Sequence, residues 1–227
     1  MTLVELEAEI LMIAGNDVSV SPFVYNWILR AVDQIAMDFH LPALKRIEPY
    51  ALTTVDETWL YDLPTDYHKN LFEARNGDYS RISILSDIST LIGKDPDHDE
   101  TDTIVSAVAV QNLKIGIYPK ADDTVYLWYY RKPDALVTDA DGDADARLAC
   151  IPAEFHARLI IPKVVIMNLD AMIDSVIEPP LQSVTYWHGT YSRGLYGSPR
   201  GDLGFVHWLA RHGGNQPDTT SWRNPFA

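Results

Sequence analysis

Hydrophobic positions recur at helical spacing along the first forty residues of the chain. Residues 3–13 carry leucine and isoleucine three or four positions apart, behind a capping box formed by Thr2 and Glu5. Residues 22–39 repeat this pattern over a longer stretch that begins with a Ser-Pro pair and ends before a Leu-Pro pair. The pattern predicts two amphipathic helices.

Between residues 47 and 137 the pattern changes to short runs of β-branched and aromatic residues separated by turn sequences. The two clearest runs, residues 113–118 and 124–130, flank a polar connection of hairpin length and are predicted to pair with each other. An Asn-Gly-Asp turn at 76–78 predicts another hairpin, and a Ser-Asp pair at 86–87 is expected to cap a short helix. The region is therefore expected to be a mostly antiparallel β module of five or six strands.

Helical spacing returns towards the end of the chain. Residues 152–173 form one helical pattern, in which Pro162 is expected to produce a kink, and residues 181–195 form another that is rich in aromatic residues. Residues 197–227 contain many glycine, proline and asparagine residues and lack periodicity, so an extended tail is expected.

These elements predict an α+β fold, in which a helical bundle from both ends of the chain carries an inserted β module. The predicted divisions are a helical bundle from residues 1–46 and 152–196, a β module at 47–137, an acidic linker at 138–151 and an extended C-terminal docking tail at 197–227.

The charge of the chain restricts its partners. With 18 basic and 32 acidic residues, the formal net charge is −14, which argues against a protein that holds nucleic acid by its phosphates. Acidic residues are concentrated at 95–102 and at 139–145. No run approaches the ~20 apolar residues that cross a bilayer, and the N-terminus lacks the features of a signal peptide. We expect a soluble protein made in a cytoplasm, without a membrane partner.

No sequence motif indicates catalysis, a cofactor or a metal. The acidic run at 139–145 lacks the spacing of a calcium loop, and no second histidine cluster complements the Asp-His-Asp sequence at 97–99. The single cysteine, Cys150, is expected to be a buried residue and not a nucleophile. Glycine-rich phosphate loops and hydrolase motifs are absent from the sequence. We predict that the protein is not an enzyme and has no catalytic, cofactor-binding or metal-binding residues.

Aromatic residues in the β module leave a second function open. Strand alternation places Tyr126, Trp128 and Tyr130 on one face of the strand and residues 125, 127 and 129 on the other. Together with Trp59, an exposed aromatic face would suit a ligand- or carbohydrate-binding β module.

The tail combines aromatic and arginine residues, which are enriched at protein interfaces. The candidate docking residues are Phe205, Trp208, Arg211, Trp222, Arg223 and Phe226. A tail of this length can also fold back on its own domain. We favour docking on a partner or a neighbouring subunit over folding back.

The order of these segments resembles that of the head-to-tail adaptor (connector) proteins of tailed bacteriophages and gene transfer agents. The resemblance covers about residues 1–175. It rests on YDLPTD at 61–66, a strand at 113–119 that ends in Tyr-Pro, YYRKP at 129–133, and Ile151-Pro152 followed by Phe155-His156.

This resemblance implies a virion protein that assembles as a ring of about twelve copies below the portal, at the neck of the virion, after synthesis in the host cytoplasm. Such a ring extends the DNA channel and connects the capsid to a downstream neck or tail protein. The resemblance also implies that the C-terminal segment docks on the portal protein. DNA would pass through the lumen without specific binding, because an acidic wall repels phosphates.

Overall fold

The structure is a computed structural model that describes residues 2–16, 20–133, 145–175, 184–198 and 203–214. The chain divides into two compact units, of which one combines Met1–Leu44 with Lys132–Ala227 and the other is Lys45–Arg131. The first unit contains helices from both ends of the chain, and the second contains every named strand that the structure describes. The fold is α+β, as predicted.

Both N-terminal helices form as predicted. In α1, Leu3–Ile13, the Thr2 hydroxyl accepts the Glu5 N–H at 3.3 Å and the Glu5 carboxylate accepts the Thr2 N–H at 2.8 Å. The second helix, α2, spans Ser21–Asp38 and is followed by a 3₁₀ turn, Pro42–Leu44. One face of α2 is buried and consists of Val24, Trp27, Ile28, Ala31, Val32, Ile35 and Ala36. The apolar spacing in the sequence of α2 therefore identifies the face that packs into the core.

A short helix, α4, Asp145–Leu148, forms inside the segment that was expected to be an acidic linker. Leu148 and Cys150 are both 2% exposed, which confirms that the cysteine is a buried residue. Burial also raises the pKa of the Cys150 thiol to about 12. The linker residues 134–144, which include most of the acidic run, lie outside the described residues.

The helical pattern predicted for residues 152–173 is divided into three segments: α5, Ala153–Phe155, a π-helical turn, His156–Ile160, and α6, Ile161–Ser175. The π-helical turn lies directly before Pro162, whose ring clashes with the carbonyl four residues earlier in a regular helix. The predicted irregularity thus takes the form of a widened turn. A second interruption occurs at Asn168, where the backbone dihedral angles are not helical.

Two further helices follow: α7, Val184–Tyr196, and α8, Phe205–Arg211. The second corrects the prediction of an extended tail over residues 205–211. Phe205 and Leu209 lie one turn apart, and both are buried on the same face of α8. Two apolar positions are too few to produce a visible period in the sequence. Residues 215–227 of the predicted tail lie outside the described residues.

Between residues 45 and 131, all of which are described, the chain forms two sheets and one helix. The strands are β1 Tyr50–Thr53, β2 Leu60–Asp62, β3 Tyr67–Arg75, β4 Ser83–Leu85, β5 Ala107–Gln111, β6 Lys114–Tyr118 and β7 Thr124–Arg131. One sheet has the order β1-β7-β3 and the other the order β2-β6-β5-β4; only the β4–β5 pair is parallel. The helix, α3, spans Ile88–Lys94, and Asp87 caps it as predicted.

The predicted hairpin between residues 113–118 and 124–130 is wrong. Both runs are strands, but β6 and β7 belong to different sheets. Their inward side chains, including Ile117 and Leu127, belong to one buried cluster, so the two strands contribute to the core between the sheets instead of pairing side by side. The connection of hairpin length crosses between the sheets, and its Ala121 is fully buried.

The hairpin that does form joins β5 to β6. Its two turn residues, Asn112 and Leu113, have φ values of 51° and 61°, the left-handed region that a two-residue hairpin turn requires. The hairpin predicted at the Asn-Gly-Asp turn is limited to a single bridge between Arg75 and Arg81. Beyond it the chain leaves the first sheet, and β4 pairs with β5 in the second.

Candidate functional site

Two of the sequence segments that suggested an adaptor meet at a polar network within the β module. The Tyr129 hydroxyl donates to Asp66 Oδ1 at 2.5 Å, and Arg46 Nη1 donates to Asp66 Oδ2 at 2.7 Å. Arg46 Nη1 also lies 3.0 Å from the Tyr129 oxygen, and its Nε donates to the Glu48 carbonyl at 2.8 Å. Burial, followed by the Asp66 carboxylate, raises the pKa of Tyr129. The network holds the Arg46 guanidinium in one orientation.

The YDLPTD segment also joins the strand that ends in Tyr-Pro. Its Tyr61 and Asp62 pair with β6, and Asp62 accepts an ion-paired hydrogen bond from Lys114 at 2.5 Å. The Tyr61 hydroxyl accepts the Val55 N–H at 2.8 Å and donates to the Thr58 carbonyl at 2.8 Å. Three of the quoted segments therefore meet in one folded unit, and their role here is structural.

The fourth segment, residues 151–156, stabilises the start of the helical region that begins with α5. The His156 side chain is buried, and its Nε2 lies 2.7 Å from the Ile151 carbonyl and 3.2 Å from the Leu148 carbonyl. A protonated Nε2 donates to these carbonyls at the turn before α5, where the Leu148 carbonyl also accepts the Ile151 N–H at 2.9 Å. These contacts give the histidine a structural role.

The aromatic face of β7 is present, but its rings have intramolecular partners. Val125, Leu127 and Tyr129 are fully buried, whereas Tyr126 and Trp128 are half-buried, which matches the predicted alternation up to residue 129. Tyr130, which was predicted on the same open face as Tyr126 and Trp128, is buried at 6% exposed. The ring contacts are Tyr79 on Tyr126 at 4.6 Å, Arg75 over Trp128 at 5.7 Å, Phe72 against Tyr130 at 5.6 Å and His98 on Trp59 at 3.7 Å. These contacts argue against an open platform for sugar rings.

The tail candidates have different environments. Phe205 is fully buried, at 5.6 Å from the Phe39 ring and 5.2 Å from the Phe155 ring, so this part of the tail folds back on its own chain. Trp208 is half-buried and stacks on Phe205, while Arg211 is exposed. Phe205 is therefore a core residue and is not presented for docking. Trp222, Arg223 and Phe226 lie outside the described residues.

A basic pocket, which we define by Arg46, Ile47, Glu48 and Arg131, lies in the β module and encloses about 310 Å³. Ile47, which lines the pocket, is 90% exposed. Arg131 Nε is buried and has no hydrogen-bond partner among the described residues. The pocket is lined by two guanidinium groups and the Glu48 carboxylate, and the Arg46 guanidinium is also ion-paired with Asp66. No sequence motif indicates this pocket, because Arg46 and Arg131 are distant in the chain.

The acidic loop, which we define as residues 95–102, is held in one conformation by local contacts. The buried Asp95 carboxylate accepts the N–H of Asp99 at 3.3 Å and of Glu100 at 3.1 Å. The His98 ring stacks on Trp59 with an interplanar angle of 12°. The side chains of Asp97 and Asp99 are exposed. The loop thus presents carboxylates from an ordered backbone.

A second cavity, of about 270 Å³, lies along α7 in the helical unit. It is lined by Arg158, Thr190, Arg193, Gly194 and Ser198. The Arg193 side chain is held on its own helix by bonds to the Gly189 carbonyl at 3.3 Å and to the Thr190 hydroxyl at 3.2 Å. This cavity therefore combines arginine side chains with hydroxyl groups.

The parts of the chain that the structure describes contain no group of three histidine, cysteine or acidic side chains placed to hold a metal ion. None of the helices in those parts is both long and apolar enough to cross a membrane.

A comparison with protein families identifies the chain. A family model described as SU10 adaptor protein matches residues 1–162, which is more than half of the chain. This chain belongs to the SU10 adaptor protein family. It is a phage head-tail adaptor family, which confirms the predicted resemblance. The protein therefore has the role of a structural adaptor in the virion. Its interaction partners are portal and tail proteins. A search of curated proteins finds no match. The family match ends before α7, α8 and the tail.

Proposed function

We propose that this adaptor assembles as a closed ring of about twelve copies below the portal, extends the DNA channel and connects the capsid to the tail. The observation that carries the proposal is the family match over residues 1–162. The folded β module supports it, because the adaptor segments at 61–66, 113–119 and 129–133 form one structural unit there.

Exposed apolar side chains agree with extensive subunit contacts. On the N-terminal helices, Val4 is 73% exposed, Met12 58%, Phe23 55% and Met37 56%. In the β module, Ile47 is 90% exposed. Single exposed apolar residues are common on monomers, but a subunit of a ring needs two different contact surfaces.

The acidic charge of the chain supports passage of DNA without binding. Each chain has a formal charge of −14, and a ring multiplies this charge around one axis. Phosphates are repelled by such a wall, so DNA moves through the lumen without a specific site.

The C-terminal residues dock on the portal in this proposal. The described part of the surface is the exposed side of α8, with Arg211 and the half-buried Trp208. Trp222, Arg223 and Phe226 contribute from the segment beyond it. Phe205 acts indirectly, because it fixes α8 to Phe39 and Phe155.

Mixing the purified adaptor with its purified portal tests this function. We expect light scattering and electron microscopy to show a ring-sized complex, whether the adaptor alone is a monomer or a ring. For docking, Arg211→Glu combined with Trp222→Ala, Arg223→Ala and Phe226→Ala should abolish binding to the portal. Arg81→Glu, an exposed charge reversal in the β module, is the control and should leave binding intact. Normal binding of the fourfold variant would exclude the tail as the docking segment.

A further inference from the structure

We infer that the basic pocket receives the acidic loop of a second copy of this chain, so that β modules join head to tail within the ring. This inference rests on the proposed ring and names the surfaces that close it. The family comparison assigns neither surface.

The pocket has the chemistry of a carboxylate acceptor. The Arg46 guanidinium is already fixed by Asp66, Tyr129 and the Glu48 carbonyl, so little side-chain freedom is lost when it binds an anion. Arg131 Nε is a buried donor that lacks a partner within the described residues. A buried donor without a partner costs free energy, and a carboxylate at this position would supply the missing acceptor.

The pocket also offers an apolar contact. The Ile47 backbone is anchored, since its carbonyl accepts the Trp128 Nε1–H at 3.1 Å, while 90% of the residue surface is exposed. An occupant that covers Ile47 and supplies an acceptor to Arg131 therefore combines an apolar side chain with a carboxylate. This pairing of an apolar centre with charge is usual at protein interfaces.

The acidic loop has this combination. Asp97 and Asp99 are exposed on a backbone that Asp95 and the stacked His98 hold in place, so little ordering is needed on binding. Ile104, which follows the loop, is 39% exposed and provides an apolar side chain close in sequence to the carboxylates.

The two surfaces lie at opposite ends of β7. The loop is joined to the connection before β7 by hydrogen bonds between the Lys120 N–H and the Glu100 carbonyl at 3.1 Å, and between the Asp102 N–H and the Lys120 carbonyl at 2.9 Å. The last residue of β7, Arg131, lines the pocket. An eight-residue strand spans roughly 23 Å, so one surface cannot contact the other within a chain. Two different, complementary surfaces are what a head-to-tail ring requires.

Charge exchange between the two surfaces tests the inference on the full chain. Ile47→Asp places a carboxylate at the mouth of the pocket, and its folding risk is small because the side chain is exposed. We expect it to weaken ring formation on the portal by about tenfold or more, and Asp97→Arg with Asp99→Arg to do the same. Combining all three substitutions in one chain should restore assembly. Leu113→Asp is the matched control, since Leu113 is an equally apolar residue that is 74% exposed on a hairpin turn.

The outcomes separate this inference from the proposed function. Loss of assembly in both variants, recovery in the combined variant and normal assembly of Leu113→Asp support the inference. If the wild type forms rings and either variant assembles normally, the loop and pocket are not partners, although the ring stands. Loss in both without recovery in the combined chain also overturns the pairing. If the wild type forms no ring with its portal, the proposed function itself fails.

Discussion

The Tyr129 hydroxyl donates a 2.5 Å hydrogen bond to Asp66, and the two residues are 63 positions apart in the chain. Asp66 ends the YDLPTD segment and Tyr129 begins YYRKP. The bond therefore joins two of the segments by which an adaptor is recognised. Both segments contribute to the structure of the β module. Arg46, which binds the same Asp66 carboxylate, also lines the basic pocket.

We expect Tyr129→Phe to lower the free energy of unfolding by about 1–2 kcal/mol, because it removes a hydrogen bond to a partly buried carboxylate while Arg46 still pairs with Asp66. Urea denaturation measures this change. Tyr25→Phe, at a tyrosine that is 37% exposed, is the control and should have little effect. An unchanged midpoint for Tyr129→Phe would contradict the importance of the bond.

The same residue predicts a pH dependence. Burial and Asp66 raise the pKa of Tyr129 in the folded state above its unfolded value of about 10. The folded state therefore favours the protonated phenol, and its contribution is complete below pH ~10 and is lost as the pH rises through the folded pKa. We expect unfolding free energies measured between pH 9 and 11 to fall less steeply for Tyr129→Phe than for the wild type. Parallel pH profiles would contradict this assignment.

Two glycines of α7 should respond in opposite directions to the same substitution. A Cβ on Gly194 would lie 2.4 Å from the Arg158 carbonyl oxygen, whereas a Cβ on Gly189 would have no described neighbour within 4 Å beyond the adjoining residues and backbone of its own helix. Gly194→Ala should therefore destabilise the protein by about 1–3 kcal/mol. Gly189→Ala should stabilise it by up to about 1 kcal/mol, because alanine favours the helix. Thermal denaturation of both variants checks the close packing of α7 against the π-helical turn. Equal shifts in Tm would contradict it.

Phe205→Ala should cost about 3–5 kcal/mol, since it empties a fully buried site between Phe39 and Phe155. Arg211→Ala, on the same helix but exposed, should change stability little. The measurement is chemical denaturation of both variants. A small effect of Phe205→Ala would mean that α8 is not part of the folded core and that Phe205 is available for docking after all.

Asp123→Ala should destabilise the β module by about 2–4 kcal/mol. The Asp123 carboxylate accepts the N–H groups of Gly77 at 2.9 Å, Thr124 at 2.7 Å and Val105 at 3.1 Å, and so ties together three segments of the module. Asp122→Ala is the neighbouring control, because the exposed Asp122 accepts a 3.0 Å bond from the Asp56 N–H. Similar denaturation curves for the two variants would contradict the structural role of Asp123.

The sequence revealed those features of the fold that depend on neighbouring residues. The capping box of Thr2 and Glu5 and the alternation along β7 from Val125 to Tyr129 are local, and both are confirmed. The pairing of β6 and β7 was wrong because loop length alone does not say whether two strands lie side by side or face each other across a core. That choice depends on strands from distant positions, because β1 and β3 flank β7 and β2 occupies one edge of β6.

The candidate site was less accessible from the sequence than the fold. Arginine and aromatic residues in the tail suggested an interface. The composition of the tail does not distinguish a Phe205 that is exposed for docking from one that is buried in the core, as it is here. The basic pocket depends on Arg46 and Arg131, which come together only through sheet formation. The exposure of Ile47 likewise follows from tertiary packing, because a strand-forming residue at that position is usually expected to face a core.

The central claim is that this chain forms a closed ring on its portal, and electron microscopy of the purified adaptor mixed with the purified portal tests it most directly. The account predicts one closed ring of adaptor subunits bound coaxially to each portal, with an open channel through both. An adaptor that remains a monomer in the presence of the portal, or that binds it as isolated copies without forming a ring, would contradict the claim.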